Sequence, residues 1–202
     1  MTLAVPSQVA ATSSAWRLAA SSRLISYRSD AESDPITVEV LLRGKGPLVV
    51  LLPSLGRGAS DFDDLSTRIA AAGFQTAAIN PRGIGASKGP AARTLADYAR
   101  DTFEVIKAVE GKHPIQPLVL IGHAFGNRLA RAFASQYPES VSSLILLASG
   151  GQVAIPPTVA KALFDVFDTS QSPEPHITAV RTAFFAPGLA GTAREACAAC
   201  CR

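Results

Sequence analysis

The sequence predicts a three-layer α/β/α sandwich on a mostly parallel sheet, and three observations carry the prediction. From residue 48 onward the pattern reads strand, helix, strand, helix, strand, helix, strand, the alternation of a parallel sheet with helices on both faces. The strand runs are continuously apolar, as in Leu48-Val49-Val50-Leu51-Leu52, which suits burial on both faces. One of them, residues 118–121, passes through a tight glycine turn straight into a helix. A chain of 202 residues with 48% hydrophobic and 17% charged side chains is long and apolar enough for one domain with a real core.

Residues 1–22 are rich in Ala, Ser and Thr and contain no acid, and Arg17 is the first basic residue. They lack the charged start of a signal peptide and are read as a flexible segment. Strands are expected over 24–27 and 37–42, with Thr37-Val38-Glu39-Val40 alternating as a half-exposed edge strand does. After the 48–52 strand, Pro53-Ser54-Leu55-Gly56 is a loop. Ser60 or Asp61 then caps a helix that Gly73 ends. A buried strand over 74–79 turns at Asn80-Pro81-Arg82-Gly83-Ile84-Gly85. Thr94 or Asp97 starts a long helix whose Leu95, Tyr98, Phe103, Ile106 and Val109 have helical spacing. The 118–121 strand, its turn and a helix from Asn127 to Gln136 follow, then a further buried strand from Val141 to Ala148. Pro156-Pro157 opens a short helix with Leu163, Phe164 and Phe167 on one side. Ser172-Pro173-Glu174-Pro175 breaks it, and a second short helix covers 177–185.

The chemistry is concentrated at Gly122-His123-Ala124-Phe125-Gly126. Strand, glycine turn and helix form the context of a nucleophile elbow, which pushes its central residue out at the carboxyl end of the sheet. That residue is Ala124, which has no hydroxyl and no proton to give up.

Four features in order resemble the α/β-hydrolase family over roughly residues 36–185. Pro53-Ser54-Leu55-Gly56 sits where the family has its His-Gly oxyanion loop. Asn80-Pro81-Arg82-Gly83-Ile84-Gly85-Ala86-Ser87 is similar to the family's D-x-R-G-x-G-x-S turn. Gly122 to Gly126 matches the elbow, and the helical segment 152–186 lies where the family inserts its cap. The resemblance implies a hydrolase-like domain over 23–188, cap included, and a low-complexity tail over 189–202. It also implies an oxyanion hole from the backbone N–H groups of Leu55 and Phe125, with Ser54, His123 and His176 as pocket lining. Three departures stand against ordinary activity. Ala124 replaces the nucleophile, Pro53-Ser54 replaces His-Gly, and the strands that would bring the acid and histidine after the cap are missing, so the fold is expected to be truncated.

No other residue substitutes for that machinery. His123 often accompanies such an elbow without a catalytic role, and His113 sits in a polar loop. Asp165 and Asp168 are expected to be solvated. Ser54 is the one hydroxyl expected to face the elbow, and it lacks a base. The chain therefore reads as a family member without serine-hydrolase activity. It is either a binder of a small acyl or ester-like molecule or the truncated product of a longer gene. An active hydrolase or lyase with non-serine chemistry is the alternative, and a Rossmann-like nucleotide-binding domain is one of another class. The latter lacks G-x-G-x-x-G and G-x-x-x-x-G-K-[ST].

Formal net charge is +3 with no basic run, which points away from nucleic acid. No apolar stretch reaches the roughly 18 residues of a membrane span, and a cytoplasmic location is expected. Cys197, Cys200 and Cys201 are the only three cysteines. They make no disulfide framework and a poor zinc site, so no metal or cofactor is expected. Without further strands alongside it, the run from Val141 to Ala148 is expected to form an apolar sheet edge open to self-association.

Overall fold

The structure is a computed structural model that describes residues 19–29, 34–111, 117–150, 154–168 and 170–185. The 1–18 segment, His113 and the cysteine tail lie outside these residues. Six strands form one mixed sheet: β1 (Ser21–Tyr27), β2 (Ile36–Gly44), β3 (Leu48–Leu52), β4 (Gln75–Ile79), β5 (Leu118–His123) and β6 (Val141–Leu147). Their spatial order is β1-β2-β4-β3-β5-β6. The β4-β3, β3-β5 and β5-β6 pairs are parallel, and the β1-β2 and β2-β4 pairs are antiparallel.

Helices α1 (Asp63–Ala71), α2 (Leu95–Glu110) and α3 (Phe125–Gln136) make the crossovers. Parallel crossovers are right-handed, so reversing the direction of travel across the sheet moves the helix to the opposite face. The chain steps one way from β3 to β4 and the other way from β4 to β5 and β6. Accordingly Phe62, Leu65 and Ile69, in and just before α1, pack with Val49, Leu51 and Ile121. On the other face Val105, Ile106, Leu129 and Phe133 of α2 and α3 pack with Val50, Leu52 and Leu120.

Several local expectations are corrected. The alternation of Thr37 to Val40 is not that of an edge strand: β2 lies between β1 and β4, and its two residue sets face the two layers. Neither Ser60 nor Asp61 caps α1. A 3-10 turn over Ala59–Phe62 comes first, and α1 starts behind Phe62 with no side-chain cap. Thr94 does cap α2, in a reciprocal box with Asp97. The last strand, β6, is not buried, since six of its seven residues are exposed; its place at the end of the sheet among the described residues is the one expected.

The described residues from Gly150 onward belong to a second compact unit. It contains α4 (Pro157–Asp165) and α5 (Pro173–Phe184). The packed positions here are Ala162, Val166, Ala179 and Val180. Phe164 and Phe167 face solvent, because the inward spacing from Ala162 is four residues. Pro173 and Pro175 do not break the chain between helices but open α5. A proline costs nothing in a first turn, whose N–H groups have no helical partner. Among the described residues no helix is long and apolar enough to cross a membrane.

Candidate functional site

The sheet has one topological switch point. β3 hands on to β4 on one side and β5 hands on to β6 on the other, while β3 and β5 are neighbours paired from Val49↔Val119 to Leu52↔Gly122. In open α/β sheets the crevice outside the carboxyl ends of such strands is where ligands bind. Two segments leave the sheet there: the Pro53-Ser54-Leu55-Gly56 loop after β3 and the Ala124 turn after β5.

The turn is tight because both its glycines are crowded. A Cβ on Gly122 would stand 2.4 Å from the Gly126 carbonyl oxygen, and one on Gly126 would stand 2.0 Å from that of Leu52. Strand β3, strand β5 and helix α3 thus meet with no room for a side chain. Ala124 between them has φ 50° and ψ −107°, left-handed backbone that an L-residue rarely adopts. Its N–H donates to the Leu147 carbonyl at 2.9 Å, and its carbonyl accepts from the Asn127 N–H at 3.2 Å and from the Asn127 side-chain amide. Asn127 is buried, and its Oδ1 has no hydrogen-bond partner among the described residues.

Phe125 opens α3, and its ring meets Tyr98 edge-on with centroids 6.0 Å apart. Burial, then the nearby Asp101 charge, pushes the Tyr98 phenol above its ordinary pKa. In the other segment Gly56 has φ 68° and the Ser54 carbonyl accepts from the Arg57 N–H at 3.1 Å. Ser54 is half-buried and Leu55 is exposed. Among the described residues, neither the Leu55 nor the Phe125 backbone N–H donates to a main-chain carbonyl. The positive end of a twelve-residue helix at this crevice is suited to a negatively charged or polarised oxygen.

Ala124, Phe125, Ser54 and Leu55 therefore share the ends of β3 and β5. His123 ends β5 on the sheet face of Val119 and Ile121, opposite Leu147. His176 belongs to α5 of the second unit, half-buried, with Nε2 lacking a hydrogen-bond partner among the described residues. Asp165 bonds Lys161, and Asp168 accepts from Ser170 and Gln171. A small cleft lined by Leu52, Pro53, Pro81, Tyr98, Thr102 and Leu129 runs beside the crevice and does not reach Ala124 itself. No cluster of three or more His, Cys, Asp or Glu able to hold a metal occurs among the described residues.

The sequence reasoning missed the residues that brace this end of the sheet. Asn80 Oδ1 accepts from the Ala59 N–H at 2.6 Å, and its Nδ2 donates to Glu39 at 2.8 Å. Glu39 also accepts from Ala86 N–H and Ser22, each at 2.8 Å. Those bonds, that of Ala86 first, hold its carboxyl below the usual glutamate range. Arg82 forks onto Asp101 through Nε and Nη2, both 2.8 Å, and Tyr27 donates to the same carboxylate. The signal for Asn127 was a polar residue three positions past the turn centre on an otherwise apolar helix face.

A family model described as serine aminopeptidase, S33, matches residues 45–175, and the chain belongs to this family of α/β hydrolases. Among curated relatives, it is 33% identical over 129 residues to 2-(acetamidomethylene)succinate hydrolase of Mesorhizobium japonicum, covering 63% of this chain and 44% of that protein. It is 30% identical over 162 residues to a (lyso)-N-acylphosphatidylethanolamine lipase of Bos taurus, covering 73% and 46%. A crystal structure of E-2-(acetamidomethylene)succinate hydrolase superposes with a TM-score of 0.59 at 28% identity, covering 79% of this chain and 56% of that one. The chain thus spans about half the length of the relatives it matches.

Proposed function

We propose that this α/β-hydrolase family protein binds a small acyl or carboxylate group at the Ala124 turn and does not perform serine hydrolysis. In this reading the turn is the nucleophile elbow, and the Leu55 and Phe125 amides are an oxyanion hole kept without its nucleophile. The carrying observation is that the strained turn, both crowding glycines and the helix start are all retained around a methyl group. Magnitudes support it. Loss of the nucleophile alone costs about 10⁶ in turnover in subtilisin, and an intact oxyanion hole with binding leaves about 10³–10⁴ over water. Half-length coverage of hydrolases that act on acyl-containing compounds makes an acyl oxygen the natural occupant.

The test is p-nitrophenyl acetate and butyrate turnover, together with amide chemical shifts on titration with butyrate. The expected outcome is no hydrolysis above the buffer blank, with saturable shifts at Phe125 and Leu55. Saturable turnover that survives Ser54→Ala overturns the reading in favour of a hydrolase with non-serine chemistry.

A further inference from the structure

The Ala124–Phe125 peptide is where the strained turn meets helix α3. A trans peptide is planar, so its C=O and N–H point opposite ways and turn together. Whatever fixes the Ala124 carbonyl therefore fixes the direction of the Phe125 N–H. Phe125 is the first residue of α3, and the first N–H of a helix has no intrahelical acceptor. The orientation of this peptide is set by ψ of Ala124, which stands at −107° with φ at 50°.

Asn127 fastens that carbonyl. Its main-chain N–H donates to the Ala124 oxygen at 3.2 Å, the long end of the usual range, and its side-chain Nδ2 donates to the same oxygen. Asn127 is the third residue of α3 behind the N-cap Ala124. In a capping box the side chain at that position accepts from the N-cap N–H. Here the Ala124 N–H donates to the Leu147 carbonyl at 2.9 Å, and Asn127 works in the opposite sense, donating to the N-cap carbonyl. Backbone crowding keeps the donor in place, since a Cβ on Gly122 would stand 2.7 Å from the Asn127 Cα.

The other end of the amide argues against a purely structural role. Asn127 is 2% exposed, and its Oδ1 bonds nothing among the described residues. A buried acceptor left unpaired costs stability, and an apolar side chain would avoid that cost. The other buried positions of α3, Gly126, Leu129, Ala130 and Phe133, carry no polar side chain. What the amide supplies is its bond to Ala124. Turning it round would set Oδ1 against the Ala124 oxygen, so the bonding pattern assigns which end is which.

We propose that Asn127 is the positioning residue of the candidate site, holding the Ala124–Phe125 peptide so that the Phe125 N–H is presented to the crevice. The inference rests on the reading of that N–H as the donor to an acyl or carboxylate oxygen. A carbonyl that accepts hydrogen bonds polarises its peptide, which makes the N–H on the far side a stronger donor. Asn127 thus sets both the direction and the strength of a contact it does not itself make.

The experiment is nuclear magnetic resonance of the full chain, with butyrate as the probe. Asn127→Leu and Asn127→Ala should each weaken butyrate binding at the Phe125 amide by about threefold to tenfold, the worth of one net hydrogen bond. Both should also move the Ala124 carbonyl-carbon and Phe125 nitrogen resonances of the free chain. Phe133→Leu alters a fully buried residue further along the same helix. It should lower the urea midpoint and leave the affinity and both resonances in place. Unchanged affinity in the Asn127 variants overturns the proposal, and so does an equal loss in Phe133→Leu, which would mean that general loosening of α3 is the cause. Should both Asn127 variants lose their folded circular-dichroism spectrum, the wild-type chain decides: a scalar coupling across the bond from the Asn127 side-chain nitrogen to the Ala124 carbonyl carbon is expected, and its absence overturns the proposal. A wild-type chain that shows no saturable shift with butyrate overturns the binding reading instead, and the same coupling then decides whether Asn127 holds the peptide.

Discussion

Ala124 carries a backbone conformation that costs an alanine energy, with φ 50° and ψ −107°. Such positions cost of order 1–3 kcal/mol and persist only where the surroundings enforce them. The enforcement is visible: both flanking glycines are in contact with backbone, and Leu147 and Asn127 hold the peptide on either side. Ala124→Gly should therefore raise stability by about 1 kcal/mol, read as a higher urea midpoint at unchanged slope. Gly126→Ala should do the opposite and by more, about 3 kcal/mol or greater, since its methyl would meet Leu52 backbone at 2.0 Å. Ala124→Ser should not create an esterase. A serine hydroxyl needs a base to take its proton and an acid to orient that base. The p-nitrophenyl butyrate assay checks this. Recovery to ordinary enzyme rates would assign a base role to one of the histidines.

At the scale of elements, α2 and the 80–87 turn owe their placement to polar groups. Thr94 and Asp97 satisfy each other's orphan N–H groups at the start of α2, and Thr94→Ala should cost about 1 kcal/mol by chemical denaturation. The Arg82–Asp101 fork is a different order of interaction, because the two side chains are only 3% and 5% exposed. Removing one partner of such a pair strands the other charge. Arg82→Ala should therefore destabilise by about 3–5 kcal/mol and loosen the turn that follows β4. Near-ultraviolet circular dichroism of the tyrosines reads that loosening, since Tyr27 bonds the same carboxylate. Burial, then that carboxylate, already pushes the Tyr27 phenol far above its usual range.

For the whole molecule, Glu39 is the tie between distant parts of the chain. It joins β1 through Ser22 and the 80–87 turn through Asn80 and Ala86. Its folded pKa is lowered from the ordinary value of 4.5. The sign follows from linkage: the unfolded state binds the proton more readily. The stabilisation is therefore complete above that value and is lost as pH falls through the lower folded pKa. Urea midpoints at about pH 7, 5 and 3 should show Glu39→Gln less stable than wild type at the upper two values, with the gap closing at the lowest. A gap that stays constant would mean the hydrogen-bond geometry, not the charge, is what matters.

The order of elements, the parallel centre of the sheet and the turn at Ala124 were legible in the sequence alone. Continuous apolar runs such as 48–52 and the spacing of Gly122 and Gly126 are local signals that each allow one arrangement. The start of α2 at Thr94 or Asp97 was legible for the same reason, and the structure shows the two joined in one reciprocal box. What only the tertiary structure decided depends on which element becomes a neighbour. β2 looked like an edge because its residues alternate, yet alternation also arises between two dissimilar layers. β6 read as apolar on both sides, and its end position in the sheet was expected, but the exposure of six of its seven residues shows only in the structure. The roles of Asn80, Glu39 and Asp101 were unreadable because their partners lie 17 to 74 residues away. Pattern along a chain records what a residue prefers, and the packing of distant segments determines whether that preference is met.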